Sequence, residues 1–269
     1  MPRASSRLLG LVTCCFALLA DAVVWDILRT TYGPSMTGVY FQSQPRTRSD
    51  ALDQGWTKLS GCEQGSKWRG ERYIRNDDHT IVLIYDVSGN IAGIQTGFET
   101  NDPRGLNVTA MAKYTQEDGG YTYVTTYFAD PKQLCDASRN ACSEVENIYF
   151  QRGSCDNLMT ISTDLSAVSS WTLGKCFPKM GVHYAYGYTT TSSCDDLFPL
   201  FLLYDQGVMK GIGFALIANF TSPHYEHPTL DNLKWMLYEA PQCVSTRVVS
   251  SIHIFLSQSL LETTCKTSG

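Results

Sequence analysis

Residues 222–229 read Ser-Pro-His-Tyr-Glu-His-Pro-Thr, which sets His224 and His227 three residues apart, with Glu226 between them and a proline near either end. Neutral imidazole is the commonest nitrogen ligand for zinc and copper, and a protein-held ion takes three or four donors from separate segments. Two histidines in one loop supply only part of that set. The others lie in the same C-terminal half, His183 in Lys-Met-Gly-Val-His-Tyr-Ala-Tyr and His253 in Ser-Ser-Ile-His-Ile-Phe, whereas the N-terminal half holds only His79. This distribution raises the expectation of a copper or zinc ion held by His183, His224, His227 and His253, with Glu226 as a supporting partner. The plainer alternative makes the loop histidines solvent-exposed and His253 a core ring bonded to a backbone carbonyl. The flanking prolines also argue against a helix that presents both loop rings on one face.

A second cluster is aromatic. Trp171, Tyr184, Tyr186 and Tyr188 surround the His183 segment. Strand alternation sets the three tyrosines on one face and His183 with Ala185 on the other. These four aromatics are candidate ligand-binding residues, for a sugar or a lipid, although aromatic ladders also serve to cover a sheet core.

Other catalytic patterns are missing. The chain has no Gly-x-Ser-x-Gly elbow, no His-Glu-x-x-His, no phosphate-binding Gly-rich loop and no EF-hand loop, so no catalytic residue is assigned. The adjacent acids Asp77-Asp78 and Asp195-Asp196 do not form a general acid–base pair, because neighbours on a strand point to opposite faces.

The elements that must carry these residues show an internal repeat. Residues 81–95 and 199–215 are each an apolar strand ending in Tyr-Asp, a glycine-containing turn and a second strand with Gly-Ile. Residues 56–68 match 171–184, and 125–135 match 252–265, in the same order. On this alignment the first copy has Lys67-Trp68 near the position of His183, and Thr126 at that of His253. Alternating β-branched and aromatic runs at 120–130, 146–151, 182–190 and 247–256 read as strands. One helix is expected from the Thr229 cap onward, with Leu230, Leu233, Met236 and Leu237 on one face, and a short turn at Asp130-Pro131. The expected fold is therefore mainly β: antiparallel sheets built from two pseudo-equivalent repeats, one or two short helices, and disulfide bracing. The division reads as 1–22 signal peptide, 23–136 N-terminal repeat, 137–166 disulfide-stapled connection and 167–269 C-terminal repeat.

The first residues carry Arg3 and Arg7, an apolar run from Leu8 to Leu19 and small residues at Ala20 and Ala22, the pattern of a cleaved secretory signal. No later run approaches the ~20 apolar residues of a membrane span. Eight cysteines remain beyond the signal: Cys62, Cys135, Cys142, Cys155, Cys176, Cys194, Cys243 and Cys265. In an exported chain an even number reads as up to four disulfides, and the absence of Cys-x2-Cys pairs argues against a cysteine zinc site. Asn107 and Asn219 lie in glycosylation sequons. A net charge of -5 and no basic stripe make nucleic acid an unsuitable partner.

Together these features favour a secreted, glycosylated, disulfide-bonded binding or matrix protein without catalytic activity, its partner an extracellular protein, a glycan or a small molecule. The alternatives are an extracellular copper- or zinc-dependent enzyme built on the C-terminal histidines, and a carrier of a small hydrophobic ligand.

Overall fold

A computed structural model describes residues 25–31, 38–102, 104, 107–139 and 145–265. The expected signal segment and Cys142 lie outside these residues. In chain order the elements are β1 (Arg29–Thr31), β2 (Phe41–Ser43), α1 (Arg48–Asp53), β3 (Thr57–Ser60), β4 (Glu71–Arg75), β5 (Asp78–Tyr85), β6 (Ile91–Glu99), α2 (Val108–Met111), β7 (Gln116–Asp118) and β8 (Tyr121–Tyr127). They continue with β9 (Asn147–Gln151), β10 (Leu158–Ser162), β11 (Trp171–Phe177), β12 (Gly181–Tyr186), β13 (Leu200–Asp205), β14 (Val208–Leu216), α3 (Leu230–Met236) and β15 (Ser250–Phe255).

Two antiparallel sheets result. One runs β10-β9-β8-β6-β5-β4-β3, with β7 also paired to β8; the other runs β11-β12-β13-β14-β15-β1-β2. Alternation gives each sheet an inward row of apolar side chains. Leu83, Tyr85, Ile94 and Val124 from the first share one buried core with Leu202, Ile212, Phe214 and Ile254 from the second. The mainly β, disulfide-braced class expected from the sequence is the observed one. Two assignments go beyond it: β1 pairs with β15 in the second sheet, and β10 joins the strand expected at 146–151, here β9, in the first.

The central meanders of the two sheets have the same register. In the first, Arg72 pairs with Ile84, Ile84 with Gly93 and Gly93 with Tyr127. In the second, His183 pairs with Leu203, Leu203 with Gly211 and Gly211 with Phe255. Both hairpins shift register at the same step, between Ile84 and Tyr85 and between Leu203 and Tyr204. The ladders thus set Arg72 opposite His183 in the comparison, and Thr125 opposite His253. The sequence alignment placed these counterparts at Lys67-Trp68 and Thr126; it slipped because motif spacing does not count the loop residues before a strand or the bulge within it.

Three disulfides, Cys62–Cys135, Cys176–Cys265 and Cys194–Cys243, close loops of 73, 89 and 49 residues in sequence separation. Cross-links of this span restrict the unfolded chain strongly. The Cys155 thiol is unbonded and lies 3.5 Å from the Ser66 carbonyl, so it adds no fourth bridge among the described residues. No helix among the described residues is long and apolar enough to cross a membrane.

The outer face of the first sheet is sealed. Arg72 is fully buried there beneath Trp68, its guanidinium 3.6 Å from the indole centroid, and donates Nε–H to Gln95 at 2.7 Å. Gln95 and Trp68 both donate to the Thr125 hydroxyl, at 2.9 and 3.1 Å. Removing the indole would leave a buried cation beside a void, so Trp68→Ala is expected to lower stability by about 3–5 kcal/mol in urea denaturation. A loss under about 1 kcal/mol would show that the indole is not the seal.

Candidate functional site

The same outward face of the second sheet is built differently. Where the first has the rung Val82–Gln95–Thr125, the second has Phe201–Gly213–His253. A side chain at Gly213 would collide with the Phe201 ring, a Cβ there lying 1.9 Å from it. Glycine therefore lets Phe201 lie flat across the sheet, its ring centroid 4.9 Å from that of His253 and 5.8 Å from that of His183. His183 and His253 are themselves adjacent, with ring centroids 5.7 Å apart. Both are buried, at 3% and 1% exposure.

A cover lies over these rings. Thr229 caps α3 by accepting from the Asn232 amide, and the Asn232 side chain accepts from the Thr229 amide in return, which completes a capping box. The end of α3 rests on β11 at Gly174, where a Cβ would fall 2.5 Å from the Met236 carbonyl oxygen. Leu233, Met236 and Leu237 turn inward as expected; Leu230 is partly exposed instead, and Trp235 and Tyr238 face solvent. Between α3 and the sheet is a cavity of about 120 Å³. His183, Phe201 and His253 line it from below, and Val244 and Val249 from the segment after α3. The Cys194–Cys243 bridge ties that segment to the wall formed by Leu197 and Phe198.

The eight residues 222–229 hold this cover to the body. Ser222 accepts a hydrogen bond from the Thr80 hydroxyl at 2.8 Å. His224 pairs through Nδ1 with the Asp78 carboxylate; burial opposes ionisation of Asp78, but His224 and the Thr80 hydroxyl and amide outweigh it and hold its pKa below the ordinary carboxylate value. Tyr225 enters the core and shares a 2.7 Å hydrogen bond with the Thr96 hydroxyl. The Glu226 backbone pairs in both directions with Ser251, at 2.9 Å each, continuing the edge of β15 past the end of β1. On the same face the Glu226 carboxylate accepts Nδ1–H from His253. His227 Nε2 meets the Ser250 hydroxyl at 3.1 Å, and Pro228 lines the cavity.

The four histidines expected to share a metal therefore do not converge. His183 and His253 meet, His224 turns to the first sheet and His227 to Ser250, and no three His, Cys, Asp or Glu side chains among the described residues are grouped to hold an ion. Proline on either side of the loop and the insertion of Tyr225 between its two histidines separate the rings. Of the candidate aromatics, Tyr184, Tyr186 and Tyr188 border the cavity, whereas Trp171 packs in the inter-sheet core 5.3 Å from Tyr186. Tyr188 donates its hydroxyl to the Glu239 carbonyl at 3.0 Å. Alternation sets Tyr184 and Tyr186 against the core and His183 with Ala185 opposite, as read from sequence.

The remaining polar atoms define what the site can do. His253 Nε2 and both ring nitrogens of His183 are buried without a hydrogen-bond partner of good geometry. Burial, and then the neighbouring His253, drive the His183 pKa down to about 3, although backbone groups of Lys175 and Gly181 act in the opposite direction. Ser251, His253 and Glu226 are the residue types of a hydrolytic triad, but no hydrogen bond joins His253 Nε2 to a serine hydroxyl. No Lys, Arg, Asp or Glu lines the cavity. It is an apolar compartment with imidazole nitrogens as its unsatisfied polar groups. Sequence reasoning found the two imidazoles and the helix face but not Phe201 or Gly213, for which the only signal is the contrast with Val82 and Gln95 in the aligned hairpin.

No known protein family, curated protein or solved structure matches the chain.

A histidine held neutral in the fold but free to protonate when unfolded makes stability fall as pH drops, because the unfolded state then binds the extra proton. The window opens near the ordinary histidine value of about 6.5 and extends to about 3. Between pH 6.5 and 5, His183 is expected to remove roughly 2 kcal/mol of stability. Denaturant unfolding at both pH values checks this: His183→Phe is expected to flatten the slope, and an unchanged slope would contradict a neutral buried ring.

Proposed function

We propose that this chain is an extracellular binding protein that holds a small, largely apolar molecule, about one ring in size, between α3 and the outer face of the second sheet. The observation that carries this reading is the cavity itself: about 120 Å³, walled by aliphatic and aromatic side chains, with two buried imidazoles as its polar anchors. Apolar cavities of about 150 Å³ accept benzene, so the space suits a ligand of that class. The three disulfides support an oxidising compartment. Exposure of Asn107 and Asn219 supports glycosylation at their sequons. The shared register of the two meanders supports descent from one duplicated unit, in which one copy kept a sealed outer face and the other a hollow one. For the copper or zinc reading, the supporting contact is limited to the His183–His253 pair.

Titration calorimetry and thermal unfolding with toluene test the proposal. One-to-one binding is expected, with about 1.4 kcal/mol of added stability at ten times the Kd. Ala215→Leu, which fills the cavity from β14, is expected to abolish both effects while the variant remains folded. Absence of heat and of any thermal shift with the native chain would refute the reading.

A further inference from the structure

The polar groups of the cavity specify more than apolar character. Because a carboxylate only accepts, the Glu226 contact commits the Nδ1 proton of His253, so in the singly protonated ring Nε2 is the acceptor. Its neighbour His183, kept neutral by burial, carries one N–H and one lone pair, both nine-tenths or more buried and neither with a hydrogen-bond partner of good geometry, although backbone groups of Lys175 and Gly181 lie near. Leaving such groups unpaired is costly, and a ligand that satisfies them recovers the cost. The matching ligand group must donate one proton and accept another, and must carry no net charge, since no charged side chain lines the cavity to compensate it.

A hydroxyl meets these conditions. Resting on the small-ligand reading above, we infer that the natural ligand is a neutral hydroxyl compound of about one ring, a phenol or similarly sized alcohol, whose O–H donates to His253 Nε2 and whose oxygen accepts from His183. Phe201 and Phe198 supply aromatic walls for the ring, and Leu233 with Met236 closes over it. Glu226 is a positioning residue: it touches no ligand atom and fixes which nitrogen of His253 is offered. Carboxylates and ammonium ions of the same size are excluded by the cost of burying an uncompensated charge.

Phenol and toluene have the same number of heavy atoms and differ by a hydroxyl for a methyl, so their comparison isolates this contact. Calorimetric titration of the full chain with phenol, toluene, benzoate and benzylamine is expected to rank phenol first, at least about tenfold tighter than toluene, with benzoate and benzylamine weakest. An apolar cavity without a hydroxyl partner would give the reverse order, because phenol loses more hydration than toluene. His253→Phe is expected to invert the order by weakening phenol while toluene still binds. Glu226→Gln, at a partly exposed position, is expected to cut the phenol preference at least about threefold with toluene unchanged. Toluene binding as well as or better than phenol to the native chain would overturn the hydroxyl assignment and leave the cavity reading intact, as would benzoate or benzylamine ranking first. If none of the four binds, both readings fall.

Discussion

Glu226 is fastened to β15 twice, by its main chain to Ser251 and by its side chain to His253, and the arrangement of the second sheet's outer face follows from that attachment. Two imidazoles on an outward sheet face cannot stay dry unless another layer covers them. The chain supplies the layer with one excursion, residues 217–249, which leaves β14, crosses to the first sheet and returns over His183 and His253 as α3. Each residue of the turn before α3 is used to hold it: Tyr225 in the core, His224 on Asp78, Glu226 on His253. The cover is thus pinned from below and closed at its far side by Cys194–Cys243.

The outer faces of the two sheets contrast a filled surface with a hollow one. Both meanders share their strand order and the same bulge. In the first, a long side chain at Arg72 and the Gln95–Thr125 pair fill the face under Trp68. In the second, shorter imidazoles and a glycine occupy the matching rungs, and the space not filled from the sheet is roofed by a helix. Packing at crystal-like density normally removes such voids. One that persists, with unsatisfied nitrogens in its floor, costs stability and is what supports the binding proposal.

Much of this was legible in the residues. Period-two alternation gave the strands, the Tyr-Asp hairpins gave the meanders, and Thr229 with the spacing of Leu233, Met236 and Leu237 gave α3. The excess of histidine in the C-terminal half singled out His183 and His253, which share one sheet face, together with His224 and His227, which do not join them. What motif reading could not supply was three-dimensional register. Whether His224 and His227 join His253 depends on where Tyr225 inserts, and no local pattern encodes that contact, made with Thr96 more than a hundred residues away. The departure of β1 and β2 to the second sheet was equally hidden, since Arg29–Thr31 is too short for periodicity to assign its partner.

The central claim is that a hollow, largely apolar space exists beneath α3 beside the paired imidazoles. Diffraction from crystals pressurised with xenon, which enters apolar cavities of this size, tests it directly. The account predicts one strong xenon site bounded by Phe201, His253, Leu233 and Met236. Crystals that take up no xenon there, with α3 collapsed onto the sheet or the imidazoles buried by other side chains, would contradict it.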